Sequence, residues 1–202
     1  MTAQRNSTVK LIIDLTRREI SSRYKGSLFG YLWAVFTPLL MLLVYTFVFG
    51  SVFKSRWAGF DIGMLTYNIF ADSVSKAPWL ITGNANFVKK VIFPVTILPI
   101  VGTLTAIFNF IMGLVPWFLI TFIYHGLPPA TIFLLPIYIF PIVLISLGGS
   151  WFISALGVYF RDVGQFIGVL VMLLMFSSPV FYPVSAVPEE YRIVFEVNPI
   201  AS

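Results

Sequence analysis

The sequence predicts an all-α integral membrane protein, an amphipathic N-terminal helix followed by five spanning helices, and three observations carry that reading. Only 10% of the 202 residues are charged while 58% are hydrophobic. A soluble domain carries roughly 25% charged residues, so most of this surface does not face water. Between Val91 and Phe160 there is no Asp, Glu, Lys or Arg, room for two or three helices of the about 20 residues that a membrane crossing needs. Finally, Lys and Arg gather on one side of the predicted spans.

The length fits a single membrane domain over residues 1–202. The absence of cysteine excludes disulfides and thiolate metal sites. The net charge of +5 is no sign of nucleic-acid binding, because the basic residues follow the membrane topology. The first long apolar run, residues 28–53, is of spanning length and unlike the short core of a cleaved signal peptide.

Residues 9–25 form an amphipathic helix by periodicity. Val9, Ile12, Ile13, Thr16, Ile20 and Tyr24 share one face, Lys10, Asp14, Arg17, Arg18, Ser21 and Lys25 the other, and Leu11 and Leu15 break the pattern. A basic flank beside an apolar stripe, directly before a spanning run, reads as a helix lying in the membrane interface.

Span one covers residues 28–53, with Pro38 inside it and a short loop, 54–59, after it. Span two, 60–81, is the most polar, carrying Asp72 and Lys76 as an i,i+4 pair. Charges in hydrocarbon face each other, a cavity or a bundle interior, unless they reach the interface. Residues 82–94 read as a loop bearing a short helix. Span three covers 95–124, bent at Pro99 and Pro116, with His125 in the turn that follows. Span four covers 131–160, its small residues Ser146, Gly148, Gly149 and Ser150 allowing close helix packing. Arg161 and Asp162 interrupt the apolar pattern, and span five covers 163–182. Five crossings put Lys89, Lys90 and Arg161 on the same side as the basic N-terminal helix, and that side is expected to be cytoplasmic.

Catalytic patterns are not found. The sequence has no phosphate-binding loop or dinucleotide glycine pattern, and its one histidine cannot make a His-based metal site. An ion-coupled transporter needs several charges inside its spans; only Asp72 and Lys76 qualify. If the chain transports, the energy comes from a partner. Aromatic rings, 17% of the chain, could line a path for sugars, whose C–H faces stack on them. Tyr31 and Tyr45 stand fourteen residues apart in span one and are expected to share a face, and Phe181 and Tyr182 end span five.

Three ordered segments carry a family resemblance: Leu15 to Ala34 followed by Pro38; Asn84 to Pro94; and Tyr159-Phe160-Arg161-Asp162-Val163 followed by Pro179-Val180-Phe181-Tyr182-Pro183 and Asn198-Pro199. Together they resemble the permease subunit of type-2 ABC exporters of polysaccharide, which move O-antigen, capsular polysaccharide or teichoic acid. The resemblance implies a non-enzymatic subunit of the bacterial cytoplasmic membrane with its N-terminus in the cytoplasm. It binds no cofactor itself; ATP and Mg²⁺ belong to a nucleotide-binding partner. A second permease copy, membrane lipid and a lipid-linked glycan complete the implied partners, with a channel along the dimer axis. Asn84, Asn86, Phe87, Val88, Lys89, Lys90 and Phe93 would couple to the ATPase. Arg17, Arg18, Glu19 and Arg23 would lie on the interface helix, and Arg161 and Asp162 would mark the second cytosolic turn. Tyr31, Tyr45, Phe181 and Tyr182 would contact glycan. Short re-entrant helices are implied after span five, then a sixth span for which this sequence has no counterpart, so the chain reads as C-terminally truncated. The same frame could serve a drug or lipid, and a membrane-embedded transferase or scaffold is the alternative from another class.

Overall fold

The computed structural model describes residues 2–48, 60–85, 93–128 and 130–178. Predicted features in 54–59, 86–92 and 179–202, including the re-entrant helices, lie outside the described residues. The described chain is helical: α1 (Thr2–Tyr24), α2 (Trp33–Tyr45) after a 3₁₀ turn (Gly30–Leu32), α3 (Phe60–Leu80) followed by a 3₁₀ turn (Thr82–Asn84), α4 (Ile97–His125), α5 (Leu135–Tyr159) after a 3₁₀ turn (Ala130–Leu134), and α6 (Val163–Phe176). A helix stands at each of the six predicted places. Those over Gly30–Val48, Ile97–Ile123 and Ala130–Tyr159 are long and apolar enough to cross a membrane.

The two predicted spans outside that set fall short for different reasons. Helix α6 has 14 residues, a length of about 21 Å against a hydrocarbon core of about 30 Å. It stops at Phe176, six residues before the predicted end of span five. The Ser177 and Ser178 hydroxyls bond back to the carbonyls of Leu173 and Leu174, and Pro179 disfavours a helical residue before it. Helix α3 has 21 residues, long enough to span, but contains Asp61, Asp72 and Lys76.

Lower hydropathy is tolerable in α3 because it lies at the centre, packed against α4, α5 and α6. Met64, Tyr67, Phe70, Val74 and Ala77 form one core with Ile153 of α5 and Ile167 and Val171 of α6. On another side Leu65 and Ile69 meet Ala106 and Phe110 of α4. The Tyr67 hydroxyl donates to the Val171 carbonyl, tying α3 to α6. The outer helices instead expose Phe36, Leu40 and Val44 of α2, Ile111, Val115 and Phe122 of α4, and Ile137, Phe140 and Leu144 of α5. A bundle that is more apolar outside than at its centre is arranged for lipid.

Lipid tails are as apolar as leucine, so helices in a membrane associate by close contact between backbones. Helix α5 presents Ser146, Ser150, Ser154 and Gly157, all buried, along one side. A Cβ at Gly157 would stand 2.5 Å from the Pro78 carbonyl oxygen, one at Gly164 2.5 Å from the Trp79 ring, and one at Gly113 2.6 Å from a Leu65 methyl. Absence of a side chain at these positions sets how closely the helices approach α3.

Helix α1 departs from its predicted pattern. It begins at Thr2, since no Pro or Gly precedes Gly26. Ile12, Thr16, Ile20 and Tyr24 of the predicted apolar face are part-buried, as are Leu11, Leu15, Glu19 and Arg23, while Val9 and Ile13 are 50% and 58% exposed. The two leucines that interrupt the periodicity widen the sheltered face, Leu15 lying beside Leu98 and Val101 of α4, and Val9 and Ile13 form an exposed apolar strip. Lys10, Asp14, Arg17, Arg18 and Lys25 are exposed as expected. Gly26, at φ +85°, reverses the chain into α2 in a left-handed conformation that costs glycine little. His125 closes α4 rather than standing in a loop, and Gly126, at φ +81°, ends that helix with its N–H on the Phe122 carbonyl.

Gly157→Ala must push its Cβ into the Pro78 backbone, which has no rotamer to give. The expected loss of stability is about 2–3 kcal/mol, read as a lower thermal midpoint in detergent. Gly148→Ala, where a Cβ meets nothing within 4 Å, is expected to be neutral or slightly stabilising because Ala is the better helix former. Equal midpoints for the two variants would contradict close packing at Gly157.

Candidate functional site

One end of the bundle collects the polar interruptions. The last turn of α3 runs into Thr82–Asn84, where the Asn84 side-chain amide donates to the Leu80 carbonyl at 2.9 Å and closes the helix end. The docked α1 brings Leu15, Arg18, Glu19 and Ser22 against Leu80, Asn84 and the first turns of α4 around a small cleft of about 160 Å³. Arg18 and Glu19 thus share a cleft with Asn84, although more than sixty residues separate them. Glu19 also pairs with Arg23 at 3.8 Å, one turn along α1, while Arg17 is exposed. Phe93 is part-buried just ahead of α4. Asn86, Phe87, Val88, Lys89 and Lys90 lie outside the described residues.

Arg161 and Asp162 form the tight turn between α5 and α6, both exposed. Gln165 N–H and Phe166 N–H bond to the Asp162 carbonyl at 3.0 and 3.1 Å, which starts α6 immediately. Trp79, beside Gly164, places this turn at the α3 end that also carries Asn84. Trp151 donates its indole N–H to the Thr96 carbonyl at 3.0 Å, tying α5 to the start of α4. The interface helix, the head of the predicted coupling segment and the second predicted turn therefore occupy one end of the bundle.

A larger cavity, about 450 Å³, opens among α1, α2, α3 and α4. Its polar wall holds Asn68 and Asp72 of α3, Asn109 of α4, Thr37 and Tyr45 of α2, and Arg23 and Tyr24 of α1; Trp33 and Phe110 add rings. Asp72 is the organising group. One carboxylate oxygen takes Lys76 at 3.1 Å and the other accepts from the Asn109 amide at 2.7 Å. The ion pair expected from spacing is present, with an amide from a second helix completing it. Burial raises the Tyr24 phenol above its ordinary value, Arg23 opposing this and Asp72 adding to it, a sign of how near the end of α1 comes to this cluster.

The two tyrosines of span one separate. Tyr45 lines the cavity. Tyr31 lies in the 3₁₀ turn before α2, its hydroxyl 2.7 Å from that of Ser21 and its ring 5.5 Å from Tyr24. The fourteen-residue spacing assumes one unbroken α-helix, and Tyr31 precedes it. Phe181 and Tyr182 lie outside the described residues. Sequence reasoning missed Asn68 and Asn109. A signal for Asn109 was available: it is the only Asn or Gln between Val91 and Phe160, and a lone amide in an uncharged span needs a partner.

Comparison with known proteins agrees along almost the whole chain. Two proteins of Klebsiella pneumoniae, each named O-antigen export system permease protein RfbA, are 28% and 27% identical over 198 residues. A protein of Myxococcus xanthus with the same name is 29% identical over 198 residues. Each alignment covers 95% of this chain and 76% of the relative. The ABC-2 type transporter family matches residues 10–202, and the chain belongs to that family.

Proposed function

We propose that this chain is the membrane subunit of an ATP-driven polysaccharide exporter in the bacterial cytoplasmic membrane. It passes a lipid-linked glycan through a channel on the axis of a permease dimer. The observation that carries the reading is that three relatives, aligned over 95% of this chain, are all named O-antigen export permeases. As a transporter permease the chain is no enzyme, and a separate nucleotide-binding subunit hydrolyses ATP. The gathering of Arg18, Glu19 and Asn84 in one cleft, at the end that carries the Arg161–Asp162 turn, supports docking of that subunit there. On this reading residues 86–90 press against the ATPase, and α1 transmits the movement to α4, on which it lies.

The energetic logic is that of a passive bundle moved from one end. The spans carry few charges and no catalytic set, so force has to enter where polar residues leave the membrane. Long apolar helices carry it inward, and weak, interchangeable aromatic contacts suit a moving polymer better than a tight site.

Two experiments test this. Lys89→Glu with Lys90→Glu, or Phe87→Asp, is expected to reduce surface glycan about tenfold or more, the scale set by losing one well-formed interface contact. Chain abundance and membrane insertion should hold. Unaltered export in such variants overturns the coupling assignment. The chain has no cysteine, so Lys10→Cys and Leu127→Cys each give a single thiol. In intact spheroplasts an impermeant maleimide should label position 127 and reach position 10 only after lysis. The reverse pattern overturns a cytoplasmic N-terminus.

A further inference from the structure

We propose that the cavity among α1, α2, α3 and α4 is a sugar-binding pocket in the wall of each protomer, seating one uncharged pyranose unit of the passing glycan. This rests on the polysaccharide-export reading and adds to it a site built from the helices of a single protomer. At about 450 Å³ the cavity falls within the roughly 300–1,000 Å³ typical of small-molecule sites.

Its chemistry selects against the other occupants of a membrane. An acyl chain would set the Asn68 amide and the unused lone pairs of Asp72 against hydrocarbon, which is costly. An anion would meet the Asp72 carboxylate. A cation would meet Arg23, which stands in the same wall. With one charge of each sign, and with Arg23 and Asp72 already paired to Glu19 and Lys76, the wall has no net charge to offer an ion.

A polyhydroxylated ring fits what is left. Asp72 uses one lone pair on each oxygen for Lys76 and Asn109, and a carboxylate has about four, so both oxygens can still accept from a neighbouring pair of sugar hydroxyls. The Asn68 amide, exposed to the cavity, and Asn109 each offer a donor and an acceptor, as vicinal hydroxyls require. Trp33 and Tyr45 add aromatic rings to the wall, the kind of surface on which the apolar C–H side of a sugar packs. A purely structural role for Asp72 would need Lys76 and Asn109 alone. It would not need Asn68 exposed beside an open volume, in a bundle whose outer faces are apolar.

The test uses the complex with its ATPase subunit in nanodiscs of phosphatidylethanolamine and phosphatidylglycerol, which contribute no sugar. Thr37→Cys and Met41→Cys each place a single thiol in the wall, and Ala130→Cys places one on an exposed turn away from it. Maleimide labelling is timed with and without short oligosaccharides cut from the host cell's own surface polysaccharide. Labelling at 37 and 41 should slow by 1 + [L]/Kd, about threefold at twice Kd, with position 130 unaffected. Adding Asn109→Leu to the Thr37→Cys chain should remove that protection. Unchanged rates at 37 and 41, equal slowing at 130, or slowing by inorganic phosphate as strong as by oligosaccharide each overturn the pocket. Surface glycan in cells carrying the cysteine-free chain is scored in parallel. If glycan appears while the thiols stay unprotected, the pocket falls and the export reading stands; if the chain supports no surface glycan, the export reading itself falls.

Discussion

The structure depends on placing its least apolar spanning segment, α3, at the centre. A helix with Asp72 and Lys76 along it cannot face lipid on every side. Packing it against α4, α5 and α6 removes that exposure, and the close backbone approach at Gly113, Gly157 and Gly164 makes the packing tight. The apolar faces of the outer helices are then free for lipid. Because association in a membrane gains little from burying apolar surface, the bundle relies on shape at these small residues and on a few polar ties, Tyr67 to Val171, Asn109 to Asp72 and Trp151 to Thr96.

The polar ties share a pattern. Each joins a side chain of one helix to a group on another, and two of them use a backbone carbonyl. A carbonyl within a spanning segment has no water to turn to, so a side-chain donor that reaches it holds two helices in register without a second charged partner. Asp72 is the exception. It spends a charge, and the charge is balanced within its own helix by Lys76 before Asn109 adds the tie to α4. That order keeps the Asp72–Lys76 pair neutral as a unit, so the tie to α4 adds no net charge between the helices.

Much of this was legible in the sequence. The predicted spans coincide with helices because an uncharged run of spanning length has few other ways to satisfy its backbone, and the Asp72–Lys76 pair follows from a one-turn spacing. Four residues of the predicted apolar face of α1, Ile12, Thr16, Ile20 and Tyr24, are sheltered, and Val9 and Ile13 are not, because periodicity reports only that a helix has an apolar side. With Leu11 and Leu15 on one flank and Val9 and Ile13 on another, only the neighbour's position decides which docks. The end of α6 was overrun because hydropathy continues through residues 177–182 while Ser177, Ser178 and Pro179 stop the helix. The Asn109–Asp72 bond, and with it the cavity wall, joins positions 37 apart in the chain; no local pattern encodes such a pair.

The contact between α3 and α5 is uneven along its length. Near the Arg161–Asp162 turn it is pinned, with Gly157 on the Pro78 backbone, while farther along it is a smooth track of Ser154, Ser150 and Ser146, where the buried Ser73 and Ser150 hydroxyls find no hydrogen-bond partner among the described residues. At the far end the same helix is held by apolar side chains instead, Leu135, Ile139 and Ile142 packing beside the core of Leu65, Ile69, Ala106 and Phe110. A force entering at the polar end therefore meets backbone first, which has no rotamer to give, and adaptable side chains last.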